Sequence, residues 1–263
     1  MRILITNDDG YDAEGLQRLV EQLSADHDCF VVAPDQGRSC CGHSVTNAAE
    51  LEVIRKREQH WTISGTPADC VRIGLMVLGI KPDWVISGVN HGGNMGIDTL
   101  YSGTVAAARE STILGYKSIA ISQYMRRDVD KDWNATAKRG RRVLYDLWDQ
   151  QLNDGFFWNI NLPALPPDHD SEFPITYCPL ELGPLPISYQ ASQEQLSNDQ
   201  EDLLASQQSQ RVTESIEGAI TRHLYQSNYQ MRPRKEGTDV HYCFSGHAVI
   251  TRLQAFGFCP HGC

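Results

Sequence analysis

Residues 1–16 read MRILITNDDGYDAEGL: a short apolar run, two adjacent aspartates, a glycine, then the beginning of a helical pattern. Arg2 to Thr6 reads as a strand, because Ile3, Leu4 and Ile5 form a continuous apolar stretch of the kind buried on both faces of a parallel sheet. Neighbouring residues of a strand point to opposite faces. Asp8 and Asp9 can therefore converge only where the strand has ended, in a turn that Gly10 lets bend. Two carboxylates about 4 Å apart repel by roughly 4 kcal/mol at an effective dielectric near 20. Such a pair calls for a cation between its members or a proton on one of them.

Outward from this turn, the first 123 residues alternate apolar runs with helical stretches, the signature of a sheet with crossover helices. Leu16, Leu19, Val20 and Leu23 recur at helical spacing, and Cys29 to Ala33 forms a second strand stopped by Pro34. Trp61 to Ser64 reads as a short strand, followed by a helix from Ala68 to Leu78 entered through Thr66-Pro67. Strands at Trp84–Ser87 and Ser118–Ser122 flank a helix from Thr104 to Leu114.

Beyond residue 125 the pattern loosens. Trp133 to Gln151 is a basic amphipathic helix whose Lys138-Arg139 and Arg141-Arg142 read as a solvated face or a phosphate contact. Phe156 to Leu162 is strand-like, and Pro163 to Pro186 is rich in proline. Residues 191–210 carry many Gln, Ser and Asp and fit an exposed helix or a flexible loop. Val240 to Leu253 reads as a closing strand. The chain is taken as one domain over 1–263, with a core and site in 1–125 and an irregular oligomerisation segment in 163–263.

Thirty-three acidic against 23 basic residues give a formal charge of −10, no footprint for nucleic-acid binding. No run of about 18 apolar residues suggests a membrane span, and no basic-then-apolar leader opens the chain, which points to the cytoplasm. Eight scattered cysteines read as thiols rather than disulfides. Cys259-Pro-His-Gly-Cys263 offers three zinc-type ligands without a second cluster, and reads as a frayed end.

Four glycine-punctuated segments follow expected strands: residues 7–10 (NDDG), 34–46, 87–96 (SGVNHGGNMG) and 101–104 (YSGT). In an open α/β sheet, loops at the carboxyl ends of strands share the edge where ligands bind. These loops bring Asp8, Asp9, Ser39, Asn90, Asn94, Ser102 and Thr104 to that edge. All-oxygen donors suit magnesium, manganese or calcium. Ser102-Gly103-Thr104 opens a helix, and exposed amides and hydroxyls there suit a phosphate. A hard divalent ion beside a phosphate pocket is equipment for phosphoester hydrolysis. His43 and His91 share these loops, as acids or as plain polar residues.

NDDG at 7–10, APDQGRSCCGHSVT at 33–46, GTPADCV at 65–71 and SGVNHGGNMGIDTLYSGTVAAARE at 87–110 together resemble the SurE family of survival-protein nucleotidases. GTDVHYCFSGHAVITRLQ at 237–254 resembles the family's C-terminal segment. The resemblance implies a Rossmann-like α/β protein, a three-layer αβα sandwich whose C-terminal extension is exchanged between subunits of a homodimer or homotetramer. On that basis Val240 to Leu253 packs partly against a neighbour. The resemblance also implies a metal-dependent phosphatase acting on nucleoside 5'- or 3'-monophosphates, and in some members on short polyphosphate.

The family's ligands for one divalent ion per subunit, Mg2+ or Mn2+, map onto Asp8, Asp9, Ser39 and Asn90. Its phosphate contacts map onto Asn94, Ser102, Gly103 and Thr104. Cys40-Cys41 departs from the glycine and small residue common in relatives. Asp8 is the expected base for the attacking water, with direct attack to an aspartyl-phosphate as the alternative. Two rival functions, a metal-dependent nucleotide-binding regulator and a glycosyltransferase acting on a nucleotide sugar, predict no simple release of phosphate.

Overall fold

The structure, a computed structural model, describes residues 1–169, 172–191, 222–226 and 229–256. The polar stretch 192–210 and the Cys259–Cys263 tail lie outside the described residues. The chain divides into two compact units, 1–183 with 233–263, and 184–232.

The larger unit holds a nine-stranded sheet. Its strands in chain order are β1 (Arg2–Thr6), β2 (Asp28–Pro34), β3 (Val53–Arg57), β4 (His60–Ile63), β5 (Trp84–His91), β6 (Ser118–Gln123), β7 (Phe156–Leu162), β8 (Ile175–Tyr177) and, last, β11 (Ala248–Gln254). Their spatial order is β3-β4-β2-β1-β5-β6-β7-β11-β8. From β4 to β7 all neighbours run parallel, whereas β3 pairs antiparallel with β4 and β11 antiparallel with β7. The chain first builds away from β1 on one side, then returns to build β5, β6 and β7 on the other. The junction of β1 and β5 is therefore the topological switch point where ligands bind in open α/β sheets.

Alternation along β1 divides the core. Ile3 and Ile5 face one layer with Val31, Ile86, Ile119 and Ile121, covered by α1 (Glu14–Ser24) through Leu16, Leu19 and Leu23 and by α5 (Trp133–Trp148) through Val143, Leu144 and Leu147. Leu4 faces the opposite layer with Val32 and Val85. That layer is covered by α2 (Pro67–Arg72), which runs on into a wider turn at Ile73–Val77, and by α4 (Gly103–Ile113). The three-layer αβα sandwich follows from this two-sided burial, each such side chain contributing roughly 1.5–3 kcal/mol. Two of the basic residues of α5 serve the fold: Arg139 is buried and donates to the carbonyls of Leu165 and Pro166, and Arg141 pairs with Asp26.

One expectation for the C-terminal region changes. Asp239–Phe244 is a short helix, α6, and only Ala248–Gln254 is strand. The alternating Val240, Tyr242 and Phe244 mimic a strand, but the chain from Ser245 to Gly246 turns back on the carbonyls of His241, Tyr242 and Cys243. β11 is paired on both sides, by β7 and β8.

In the smaller unit, β9 (Ser188–Ala191) and β10 (His223–Gln226) pair antiparallel. Among the described residues no helix is long and apolar enough to cross a membrane.

Candidate active site

The turn after β1 is held by its own side chains. Asn7 Nδ2 donates to the Gly10 carbonyl at 2.8 Å, and Gly10 adopts φ +99°, a left-handed conformation that favours glycine. Asp8 is 5% exposed. Its Oδ1 accepts a 2.5 Å hydrogen bond from Thr104 Oγ1, and its carbonyl accepts the Arg38 amide at 2.7 Å. Asp9, half-buried, accepts the His91 amide on Oδ2 at 2.8 Å. The two acids thus bond different elements, Asp8 the start of α4 and Asp9 the end of β5.

Gly103 makes the approach of α4 possible. A Cβ at that position would lie 2.9 Å from Asp8 Cβ, 3.0 Å from Asp8 Oδ2 and 3.0 Å from Cys41 Sγ. Asp8 therefore rests on the N-terminus of an 11-residue helix, where amides and the macrodipole favour negative charge. Burial still dominates, and with the neighbouring charge of Asp9 it raises the Asp8 carboxyl to about 6. None of the described ion pairs gives Asp8 or Asp9 an arginine or lysine.

The remaining expected residues lie on the loop after β2, at the end of β5 and in the segment that leads into α4. Ser39 is exposed on the loop after β2, one residue beyond the Arg38 amide that bonds Asp8. Asn90, 9% exposed, follows a register shift in the β5–β6 ladder between Ser87 and Asn90; its Nδ2 donates to Gly92 O, leaving Oδ1 as the atom for a cation. Ser102 caps α4, with Oγ accepting the Val105 amide. Thr104 lies in the first turn of α4, where its hydroxyl donates to Asp8. Asn94 is buried, with Nδ2 donating to Ser122 Oγ, its amide to Asn161 Oδ1, and its carbonyl accepting from Asn159 and Asn161.

The loop carrying Ser39 is fastened by partners that the sequence reading did not assign. His43 Nε2 lies 2.7 Å from Glu110 Oε2, and Arg72 Nε donates to Glu110 Oε1 at 2.6 Å. Thr46 donates its amide and hydroxyl to Asp69, which also closes a capping box with Thr66 at the start of α2. Burial pushes Asp69 up, but the hydrogen bonds from Thr46 and Thr66 outweigh it and hold the carboxyl below its ordinary value. GTPADCV at 65–71 was the visible signal for this anchor. His91 contributes its backbone to Asp9 while its ring stays exposed.

Two carboxylates without a basic partner among the described residues, a hydroxyl and an amide oxygen are a hard-oxygen donor set, suited to Mg2+ or Mn2+. Among the described residues there is no group of three or more His, Cys, Asp or Glu that could hold a metal.

The sequence profile described as survival protein SurE matches residues 3–180. The chain belongs to the SurE family. It is 37% identical to a candidate 5'-nucleotidase of Synechocystis sp. over 97% of this chain and 100% of that protein. It is 35% identical to the 5'-nucleotidase SurE of Variovorax paradoxus over 97% of this chain and 92% of that one. Among solved structures, the SurE protein of Aquifex aeolicus superimposes with a TM-score of 0.77 at 27% identity, covering 98% of this chain and 95% of that one. The SurE-like α/β architecture is shared across nearly the whole chain.

Proposed function

We propose that this SurE-family chain is a divalent-cation-dependent phosphatase that hydrolyses nucleoside 5'- or 3'-monophosphates to nucleoside and phosphate. The observation that carries the reading is Asp8: a buried carboxylate beside a second acid, without a basic partner among the described residues, seated on the N-terminus of α4. The names borne by the Synechocystis and Variovorax relatives supply the substrate class.

Asp8, Asp9, Ser39 and Asn90 would hold one Mg2+ or Mn2+, which when bound lowers the pKa of water and polarises a phosphoryl oxygen. Ser102 Oγ and the first amides of α4, at Gly103 and Thr104, receive the phosphate oxygens. Asn94 has one amide hydrogen committed to Ser122 and a second to offer. Thr104 occupies Oδ1 of Asp8 and so directs Oδ2 to the proton of the attacking water. The donors at the start of α4 stabilise the equatorial oxygens as charge redistributes in the transition state.

The reading includes a homodimer or homotetramer, supported by the exposed Ile187, Tyr189, Leu224 and Tyr225 of the smaller unit. It includes a cytoplasmic setting, supported by free thiols at all described cysteines. The test is phosphate release from a panel of nucleoside 5'- and 3'-monophosphates and short polyphosphate, with EDTA, Mg2+, Mn2+ or Zn2+. Release restored by Mg2+ or Mn2+ after EDTA is expected; nucleotide binding without release would replace the reading with that of a nucleotide-binding regulator.

A further inference from the structure

A carboxylate far from the β1 turn holds the loop that carries the anion-side residues. Asp239 opens α6 and is fully buried. Its Oδ2 accepts the Gly96 amide at 2.8 Å, and its Oδ1 accepts the amides of Glu181 at 2.7 Å and Val240 at 2.9 Å. Gly96 lies at φ +56°, and a Cβ there would stand 2.6 Å from the Glu181 carbonyl oxygen. The glycine loop is thus pressed against the segment at residue 181 as well as hydrogen-bonded to Asp239.

Glu181 extends the clasp. Its Oε1 accepts the Gly183 amide and its Oε2 the Lys235 amide. Gly183 and Lys235 stand at or just outside the ends of segment 184–232, so the carboxyl that ties those ends together belongs to the residue whose amide Asp239 holds. Downstream of Gly96 the connection to the site is short. Gly96 O accepts the Thr99 hydroxyl, the helical turn α3 (Asp98–Tyr101) follows, and the Ser102 amide bonds the Asp98 carbonyl before Ser102 caps α4. On the other side, Asn94 is fastened to β7 through Asn161.

We infer that Asp239, braced by Glu181, is a positioning residue for the anion pocket: it sets residues 94–104 so that Ser102 and the first amides of α4 face the substrate phosphate. The inference rests on the phosphatase reading above. A carboxylate suits the task because both oxygens only accept. An asparagine would turn an N–H toward an N–H whichever way it lay.

The experiment compares wild type, Asp239→Asn, Glu181→Gln and Gly96→Ala as full-length proteins. In Asp239→Asn and Gly96→Ala, hydrogen exchange across residues 92–102 accelerates about tenfold, while peptides covering 3–10 keep their protection. KM for the nucleotide rises about tenfold, as expected for loss of correctly placed donors to a charged group, and the Mn2+ dissociation constant changes less than about twofold. Glu181→Gln shows the same pattern more weakly and serves as the reading should Asp239→Asn fail to fold. Unchanged exchange at 92–102 overturns the inference, as does an unchanged KM with kcat falling only in step with the folded fraction. Absence of phosphate release from wild type would overturn the phosphatase reading alone, because the exchange measurement tests the clasp without turnover.

Discussion

Asp8 and Asp239 are both buried carboxylates of one sheet protein, and they are provisioned in opposite ways. Asp239 accepts three backbone amides with its two oxygens. Asp8 has the hydroxyl of Thr104 and the N-terminus of α4, with a second acid next to it. A buried charge saturated with hydrogen bonds is part of the scaffold, whereas one left short of partners is prepared for a ligand that supplies them. The same contrast separates the two sides of the sheet. The loops after β1 and β2 and the end of β5 carry Asp9, Ser39 and Asn90, while Ser122 of β6 and Asn161 of β7 are turned inward to hold Asn94.

The largest test of this contrast is Asp8→Asn. Phosphate release is expected to fall about a thousandfold, in the range for losing a general base. Burial raises the Asp8 carboxyl from 3.8 to about 6, so the metal-free wild type loses stability as pH rises through that interval. The variant is then expected to melt higher than metal-free wild type at pH 7 and no higher at pH 3.5, which thermal denaturation in EDTA measures. Near-normal turnover would remove Asp8 from the chemistry.

Gly103→Ala tests the close approach of α4. The added methyl lies about 3 Å from Asp8 and Cys41, and overpacking of this kind costs about 1–3 kcal/mol. Activity is expected to drop by about a hundredfold as Asp8 is displaced. A fully active, undestabilised variant would show that Asp8 need not touch the helix.

His60 sharpens the comparison from the scaffold side, because it is a buried group whose neutral form is preferred. Burial lowers its imidazole from 6.5 to about 4, and its Nδ1 faces the Tyr11 hydroxyl. Its stabilising contribution is complete above pH 6.5 and is lost as pH falls toward 4, about 2 kcal/mol of it between pH 7 and pH 5. Denaturant titrations of wild type and His60→Gln should therefore converge by that amount over this range. The smallest expected effect is that of Ser102→Ala, a rise in KM of about tenfold from the loss of one hydrogen bond to a charged group. An unchanged KM would count against a phosphate contact at Ser102.

Much of the first half was legible because its information is local. Ile3, Leu4 and Ile5 announce a strand buried on both faces, and the turn Asn7–Gly10 follows where the apolar run stops. The strands at 118–123 and 156–162 and the helix beginning near Thr104 are also written in continuous apolar runs or helical spacing. β3 was not read, because Val53–Arg57 is exposed throughout and carries three basic residues among its five. The fastenings of the site were not legible for a different reason. Gly96 and Asp239 are 143 residues apart, and His43 and Glu110 are 67 apart, separations that no periodicity encodes. Helix α6 was mistaken for strand because six residues are too few for a helical period to declare itself against an alternating one.

The unread strand has a consequence of its own. β3 ends the sheet with Arg55, Lys56 and Arg57 at its solvent-facing margin and an irregular register there, and the opposite margin is the three-residue β8. A short stub at one border and a cationic, kinked ribbon at the other both discourage backbone-to-backbone docking of a second molecule. Growth of the sheet from chain to chain is thereby blocked at either flank, and fibrous stacking is disfavoured even at high concentration.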